Sequence, residues 1–202
     1  KVANKAPKKV RIVIAGAGAA GTAIAELLML FGVGDITLLD SRGIIHRKRV
    51  HLDKEKRALA MQTNKQELKG GLIEALAGAD VFIGVSKGNT VTEGQVRSMA
   101  EKAIVFALAN PTPEIMPDLA KKAGAFVVAT GRSDFANQIN NSLGFPGIFR
   151  GALDHKVKKI TNAMLIQAAK NLAVVVKNPT AEQIVPNTFD KRVVSAVAKA
   201  IR

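Results

Sequence analysis

VRIVIAGAGAAGTAIAELLMLFGVGDITLLD, residues 10–40, decides the fold. Its first part, VRIVIA (10–15), is a β-branched run bounded by charge and by glycine, the pattern of a strand buried on both faces. AAGTAIAELLMLF (19–31) carries Ala, Ile and Leu at helical spacing and stops at Gly32, a residue suited to a left-handed helix end. DITLLD (35–40) is a second strand, and a strand–helix–strand unit of this length requires a parallel pair with a right-handed crossover. Between the first strand and the helix lie Gly16, Ala17, Gly18, Ala19, Ala20 and Gly21, a G-x-G-x-x-G string in the setting that gives the string meaning. Gly16 serves the tight turn, Gly18 lets the backbone approach a diphosphate, and Gly21 lets helix and strand pack closely. The open N–H groups and the positive end of the helix dipole then face the anion.

Working outward, the alternation continues. GLIEALAGAD (71–80) predicts a helix running into the strand ADVFIGVS (79–86). Thr92 with Gln95 is a capping-box pair that starts a helix over 92–100, followed by the strand AIVFALAN (103–110). PDLAKKAGA (117–125) predicts a helix and AFVVATG (125–131) a fifth strand. Strands alternating with helices give an α/β fold, a Rossmann-type doubly wound parallel sheet with C-terminal helices. Those helices are read at 159–176 and 191–201. Residues 10–202 are expected to form one NAD(P)-binding domain whose part 151–202 is a helical cap.

Composition narrows the chemistry. The 202 residues include no Cys, so disulfides, thiolate metal sites and thiol catalysis are excluded, and no Tyr or Trp. His46, His51 and His155 are isolated and read as surface residues. No apolar run approaches the roughly 20 residues of a membrane span. The basic start KVANKAPKKV has no apolar segment behind it, so it is no secretory signal and a soluble, cytoplasmic protein is expected. The net charge of +14 raises the question of nucleic acid. No aromatic residues interleave the densest basic stretch, HRKRVHLDKEKR (46–57), so it reads as a solvated basic surface and nucleic acid ranks last among the partners.

The acidic residue that a dinucleotide site needs on the adenine ribose, about 20 positions beyond the glycine turn, is Asp40 at the end of the second strand. A carboxylate there repels a 2′-phosphate and speaks for NAD. Arg42, Arg47, Lys48 and Arg49 follow closely and could grip that phosphate, so NADP stays open, with NAD favoured.

Two further blocks, FALANPTPE (106–114) and ATGRSDFANQINNSLGFPGIFRGAL (129–153), resemble the signature loops of malic enzymes, and GAGAAG, DSRGII and FIGVS are similar to that family too. The resemblance covers about residues 10–201. It implies oxidative decarboxylation of malate to pyruvate and CO2 with NAD or NADP. It also implies that Asn110, Asn140 and Asn141 contact substrate, that Asn110 and Asn141 also face the nicotinamide side, and that Ser86 lies near the nicotinamide ribose. Amides suit this work, since they donate to a carboxylate and accept from a ribose or carboxamide. Arg132 and Asp134 are expected to brace their loop as an ion pair. Ala136 stands where the family commonly has Pro.

In the family a Tyr and a Lys act as acid and base, and carboxylates hold Mg²⁺ or Mn²⁺, in a domain upstream of the glycine turn. Only fifteen residues precede Gly16 here, and no Asp, Glu or His cluster has ligand spacing. The resemblance therefore implies a piece of a longer enzyme, with residues 1–9 the remnant of a helix entering the domain, no catalytic or metal residue of its own, and a missing N-terminal catalytic domain as partner. The complete enzyme is expected to be a homodimer acting on malate or pyruvate. The alternative is a non-catalytic nucleotide-binding or sensor module.

Overall fold

The computed structural model describes residues 1–202, and the chain forms two compact units, Ala3–Thr130 and Gly131–Arg202. The sequence places its change of texture at 151, twenty residues later than this division.

In the first unit, β1 (Arg11–Ala15), β2 (Asp35–Asp40), β3 (Gly43–Ile44), β4 (Val81–Gly84), β5 (Ile104–Ala107) and β6 (Val127–Thr130) form one sheet in the order β3-β2-β1-β4-β5-β6. All neighbours pair in parallel except β2 and β3. Five parallel strands match the reading above, and the antiparallel edge strand is an addition. β3 pairs only Leu39 with Ile44 and Asp40 with Gly43, too short a run to show any alternation.

The sheet is covered on both faces. Val13, Phe82, Val105 and Val128 belong to a core that includes Leu76, Val96 and Ala120, from α3 (Leu72–Leu76), α4 (Glu93–Arg97) and α5 (Pro117–Lys122). Ile12, Ile14, Ile36, Leu38 and Ile83 form the other, with Ala25, Leu59 and Ala60 from α1 (Ala19–Phe31) and α2 (Lys54–Gln62). Successive strand residues thus face opposite layers, which is why these strands are apolar throughout. α1 ends at Gly32 with φ 86°, and α4 starts with the expected reciprocal cap: Thr92 N–H donates to Gln95 Oε1 at 2.8 Å and Gln95 N–H to Thr92 Oγ1 at 3.3 Å. α2 lies partly inside the basic stretch read as solvated surface. Asp53 caps it, accepting from Lys56 N–H at 2.8 Å, and only Leu59 and Ala60 are buried. Residues 1–9 contain no α-helix. They hold a 3-10 turn at Pro7–Lys9, with the residue before Pro7 extended, as proline's ring demands, and Gly34 N–H bonded to the Pro7 carbonyl at 2.9 Å.

The second unit contains α6 (Phe145–Asp154), α7 (Asn162–Ala173) and α8 (Lys191–Ala198). All of α6 but its last residue falls within the block 129–153, read as a loop. Gly147 and Gly151, one turn apart, let it meet α8: a Cβ on Gly147 would lie 2.5 Å from Val197 Cβ, and one on Gly151 2.5 Å from the Ala198 carbonyl oxygen. Asn137, buried in the loop before α6, donates to the Ala181 carbonyl at 2.7 Å and accepts from Ile184 N–H at 2.8 Å.

Candidate functional site

In open α/β sheets the crevice lies beyond the carboxyl ends of the strands, where the strand order reverses. Here that point is between β1 and β4, because β1 runs on through α1 to β2 on one side while β4 lies on the other. The glycine turn occupies it. Gly16 has φ +117°, and a Cβ there would stand 2.6 Å from the Val85 carbonyl oxygen. Gly16 and Ala17 both donate N–H bonds to the Leu39 carbonyl, at 2.9 and 3.0 Å, which turns the chain out of the sheet. A Cβ on Gly21 would collide with the Gly16 carbonyl oxygen, so only glycine allows α1 to start so close to β1.

Gly18 is different. It is exposed at the N-cap of α1, its φ of −94° suits any residue, and a Cβ there would meet nothing. No side chain caps the helix, and Ala19 and Ala20 are exposed. The first N–H groups of a thirteen-residue helix therefore face open space, with the positive end of its dipole behind them. This cradle fits a diphosphate, with Gly18 keeping clear the space that the phosphates need.

Asp40 ends β2 beside this turn, its side chain 14% exposed. Its Oδ1 accepts from Arg49 Nη2 at 2.7 Å and from Arg42 N–H at 2.9 Å, and Lys56 Nζ stands 3.4 Å from Oδ2. Burial pushes the Asp40 carboxyl up, but the Arg49 and Arg42 hydrogen bonds and the Arg49 charge outweigh it and hold the group below its ordinary value. Arg49 also donates to the carbonyls of Gly43 and Ile44, at 3.0 and 3.3 Å, so β3 fixes its guanidinium. Of the four basic residues singled out after Asp40, Arg49 reaches it by side chain and Arg42 by backbone. Lys56 was not singled out, because it lies beyond a loop and is brought back by α2.

Ser86 follows β4 and Asn110 follows β5; both are exposed at the carboxyl ends of their strands. The Asn110–Pro111 bond is cis. The loops carrying them run together: Asn89 N–H donates to the Pro113 carbonyl and Val91 N–H to the Glu114 carbonyl, both at 3.0 Å. Glu114, which the sequence reading passed over, is fully buried beneath them. In the second unit Asn140 and Asn141 are exposed, and Asn140 caps the short 3-10 helix Asn141–Leu143, its Oδ1 accepting from Ser142 N–H at 3.0 Å. Arg132 and Asp134 form the expected pair, bidentate at 2.9 and 2.7 Å, with the guanidinium also over the Phe135 ring. No group of three or more His, Asp or Glu side chains is placed to hold a metal ion. No helix is long and apolar enough to cross a membrane.

Sheet order, glycine turn and the acidic end of β2 define a dinucleotide-binding domain of Rossmann type. Residues 1–201 match the family model described as malic enzyme, NAD binding domain. The chain belongs to that family. It is 48% identical over its full length to the bifunctional malic/malolactic enzyme of Bacillus subtilis, covering 50% of that protein. To the NADP-dependent malic enzyme of Halomonas elongata it is 42% identical, with 96% of the chain and 46% of the relative covered. The crystal structure of an NAD-dependent malic enzyme from Thermotoga maritima is similar over 98% of this chain and 52% of its own, with TM-score 0.93 and 43% identity. The chain spans about half the length of the curated relatives it matches.

Proposed function

We propose that this chain is the cofactor-holding part of a malic enzyme that converts malate and NAD(P)⁺ to pyruvate, CO2 and NAD(P)H. The carrying observation is that the three glycines do three separate jobs: Gly16 turns the chain at positive φ, Gly21 admits the helix, and Gly18 alone keeps open space. Gly16, Ala17, Gly18, Ala19, Ala20 and Gly21 form the diphosphate cradle: Gly16 and Ala17 set the turn through their N–H bonds to the Leu39 carbonyl, and the open N–H groups from Gly18 through Ala19, Ala20 and Gly21 receive the diphosphate. Asp40, oriented by Arg49 and Lys56, accepts from the adenine ribose hydroxyls, and a carboxylate in that place favours NAD over NADP. Ser86, Asn110 and Asn141 serve the nicotinamide side, and Asn110, Asn140 and Asn141 bind the substrate acid, as the family resemblance implies.

NAD(P)⁺, when bound, supplies the hydride acceptor. This chain's residues bind and orient. It has no Tyr to act as general acid, and its side chains do not fit a divalent metal. The acid, the base and the Mg²⁺ or Mn²⁺ of the reaction are therefore assigned to the remainder of a complete enzyme, a cytoplasmic homodimer, and the isolated chain is inactive.

The test is calorimetric titration of NAD and NADP into the chain, followed by an assay of malate-dependent NAD(P)H formation with and without the catalytic domain of a related malic enzyme. Cofactor binding with activity only in the mixture supports the proposal. No binding at millimolar cofactor removes it, and binding without activity from an assembled complex supports a nucleotide sensor instead.

A further inference from the structure

Glu114 is the only ionisable side chain fully buried in the chain, at 0% exposure. It sits in the loop after β5, four residues beyond Asn110, and its carboxylate bridges two strand ends. Oε1 accepts from Ser86 N–H at 3.0 Å, and Oε2 accepts from Ala109 N–H at 3.0 Å. Gly84, the last residue of β4, makes room: a Cβ there would stand 2.5 Å from Oε1 and 2.6 Å from Oε2. Gly88 lets the same loops touch a second time, since a Cβ on it would lie 2.6 Å from the Thr112 carbonyl oxygen. A buried carboxylate is costly unless its oxygens are satisfied, and here each oxygen takes one backbone donor.

Two inward-pointing N–H donors need two acceptors, and of the residues of this size only a carboxylate offers an acceptor at both ends. A glutamine would satisfy one N–H and oppose the other with its own NH2. We propose that Glu114 is a positioning residue that fixes the spacing of the Ser86 and Asn110 loops and so sets the nicotinamide end of the cofactor site. It touches neither cofactor nor substrate; it acts through the peptide N–H of Ser86 and that of Ala109, next to Asn110. The inference rests on the assignment of Ser86 and Asn110 to the nicotinamide side. Glu114 makes no hydrogen bond to the glycine turn or to Asp40. The Val85–Ser86 peptide that it holds borders Gly16 through the Val85 carbonyl, but the open N–H groups at the start of α1 and the Asp40 carboxylate, which take the diphosphate and the adenine ribose, have other supports.

That separation gives the test. ADP carries the adenine, its ribose and the diphosphate of NADH without the nicotinamide or the ribose that bears it. NADH and ADP are titrated by calorimetry into the full chain and into Glu114→Gln. Glu114→Gln is expected to lose about tenfold in affinity for NADH, the scale of one hydrogen bond to a charged group, and to keep its ADP affinity within about twofold. Equal losses for both ligands make Glu114 a general stabiliser and overturn the inference, as do unchanged affinities for both. A readout on the unmutated chain stands even where the variant does not fold: NADH, and not ADP, shifts the backbone amide resonances of Ser86 and Ala109. Identical responses to the two ligands overturn the inference. If the unmutated chain binds neither ligand, the dinucleotide reading beneath it falls first, an outcome distinct from each of these.

Discussion

Replacing Gly18 and Gly16 by alanine separates holding the fold from holding the ligand. At Gly16 the added methyl meets the Val85 carbonyl oxygen at 2.6 Å, and the residue must keep φ +117°. Strain at such a backbone position costs about 1–3 kcal/mol, and overpacking against a fixed carbonyl about 1–3 kcal/mol more. The sum is a large share of the roughly 5–15 kcal/mol by which a domain is stable. At Gly18 the methyl meets nothing and φ is −94°, so the fold loses nothing. Alanine there even gains about 0.4–1 kcal/mol by restricting the unfolded chain. The same methyl, however, fills the space against which the diphosphate packs. Losing one backbone hydrogen bond to a charged oxygen, about 1.5–3 kcal/mol, corresponds to a drop in NAD affinity of about 10- to 150-fold. Urea unfolding and calorimetric titration of both variants decide the matter. Gly18→Ala is expected to be as stable as the parent and a poor binder, and Gly16→Ala to be unstable. A Gly18→Ala chain that binds NAD as well as the parent would refute the reasoning.

Other consequences follow from the neighbouring contacts. The folded-state carboxyl of Asp40 lies below its ordinary value of 3.8, so its stabilising contribution is complete above that value and is lost as the pH falls through the lower folded one. Asp40→Asn should therefore lose less stability than the parent when urea unfolding is repeated from pH 6 down to pH 2, and an identical pH profile would contradict this. Arg49→Met removes the guanidinium that bridges Asp40 to the carbonyls of Gly43 and Ile44, at a cost of about 1–3 kcal/mol in unfolding free energy; a neutral result would mean that the bridge is not formed. Asn137→Ala leaves the Ala181 carbonyl and the Ile184 N–H without their side-chain partner, and should cost about 1–3 kcal/mol. Its readout is hydrogen exchange at Ile184, which should accelerate.

The legible parts of this molecule were those with local rules. β1, α1 and β2 follow from apolar runs and a glycine stop, and Asp40 from its distance to the glycine turn. Thr92 and Gln95 announce a cap that the structure contains. What escaped has physical reasons. β3 is two residues long and exists only because a turn at Asp40–Gly43 folds it back on β2. α2 is so rich in charge that its two buried residues, Leu59 and Ala60, give no clear stripe. α6 hides behind glycines and a proline that look like loop residues, although Gly147 and Gly151 at one-turn spacing carry the signal of a close helix crossing. The candidate site residues could be named by type and spacing, but their support could not be read. Asp40 could be named from spacing, but its partners Arg49 and Lys56 are set by β3 and α2, the two elements that the pattern did not show. Glu114 carries no signal in the sequence, because the donors that make its burial possible come from Ser86, 28 residues away, and from the backbone of Ala109.

The central claim is that this chain holds a dinucleotide at the N-terminus of α1. Titrating NAD into the isotope-labelled chain and following its backbone amide resonances tests it most directly. Saturable one-to-one shifts centred on Gly16–Gly21, with Asp40 responding in the same titration, are the predicted result. The absence of saturable shifts at millimolar NAD, or saturation with the glycine turn silent, would contradict it.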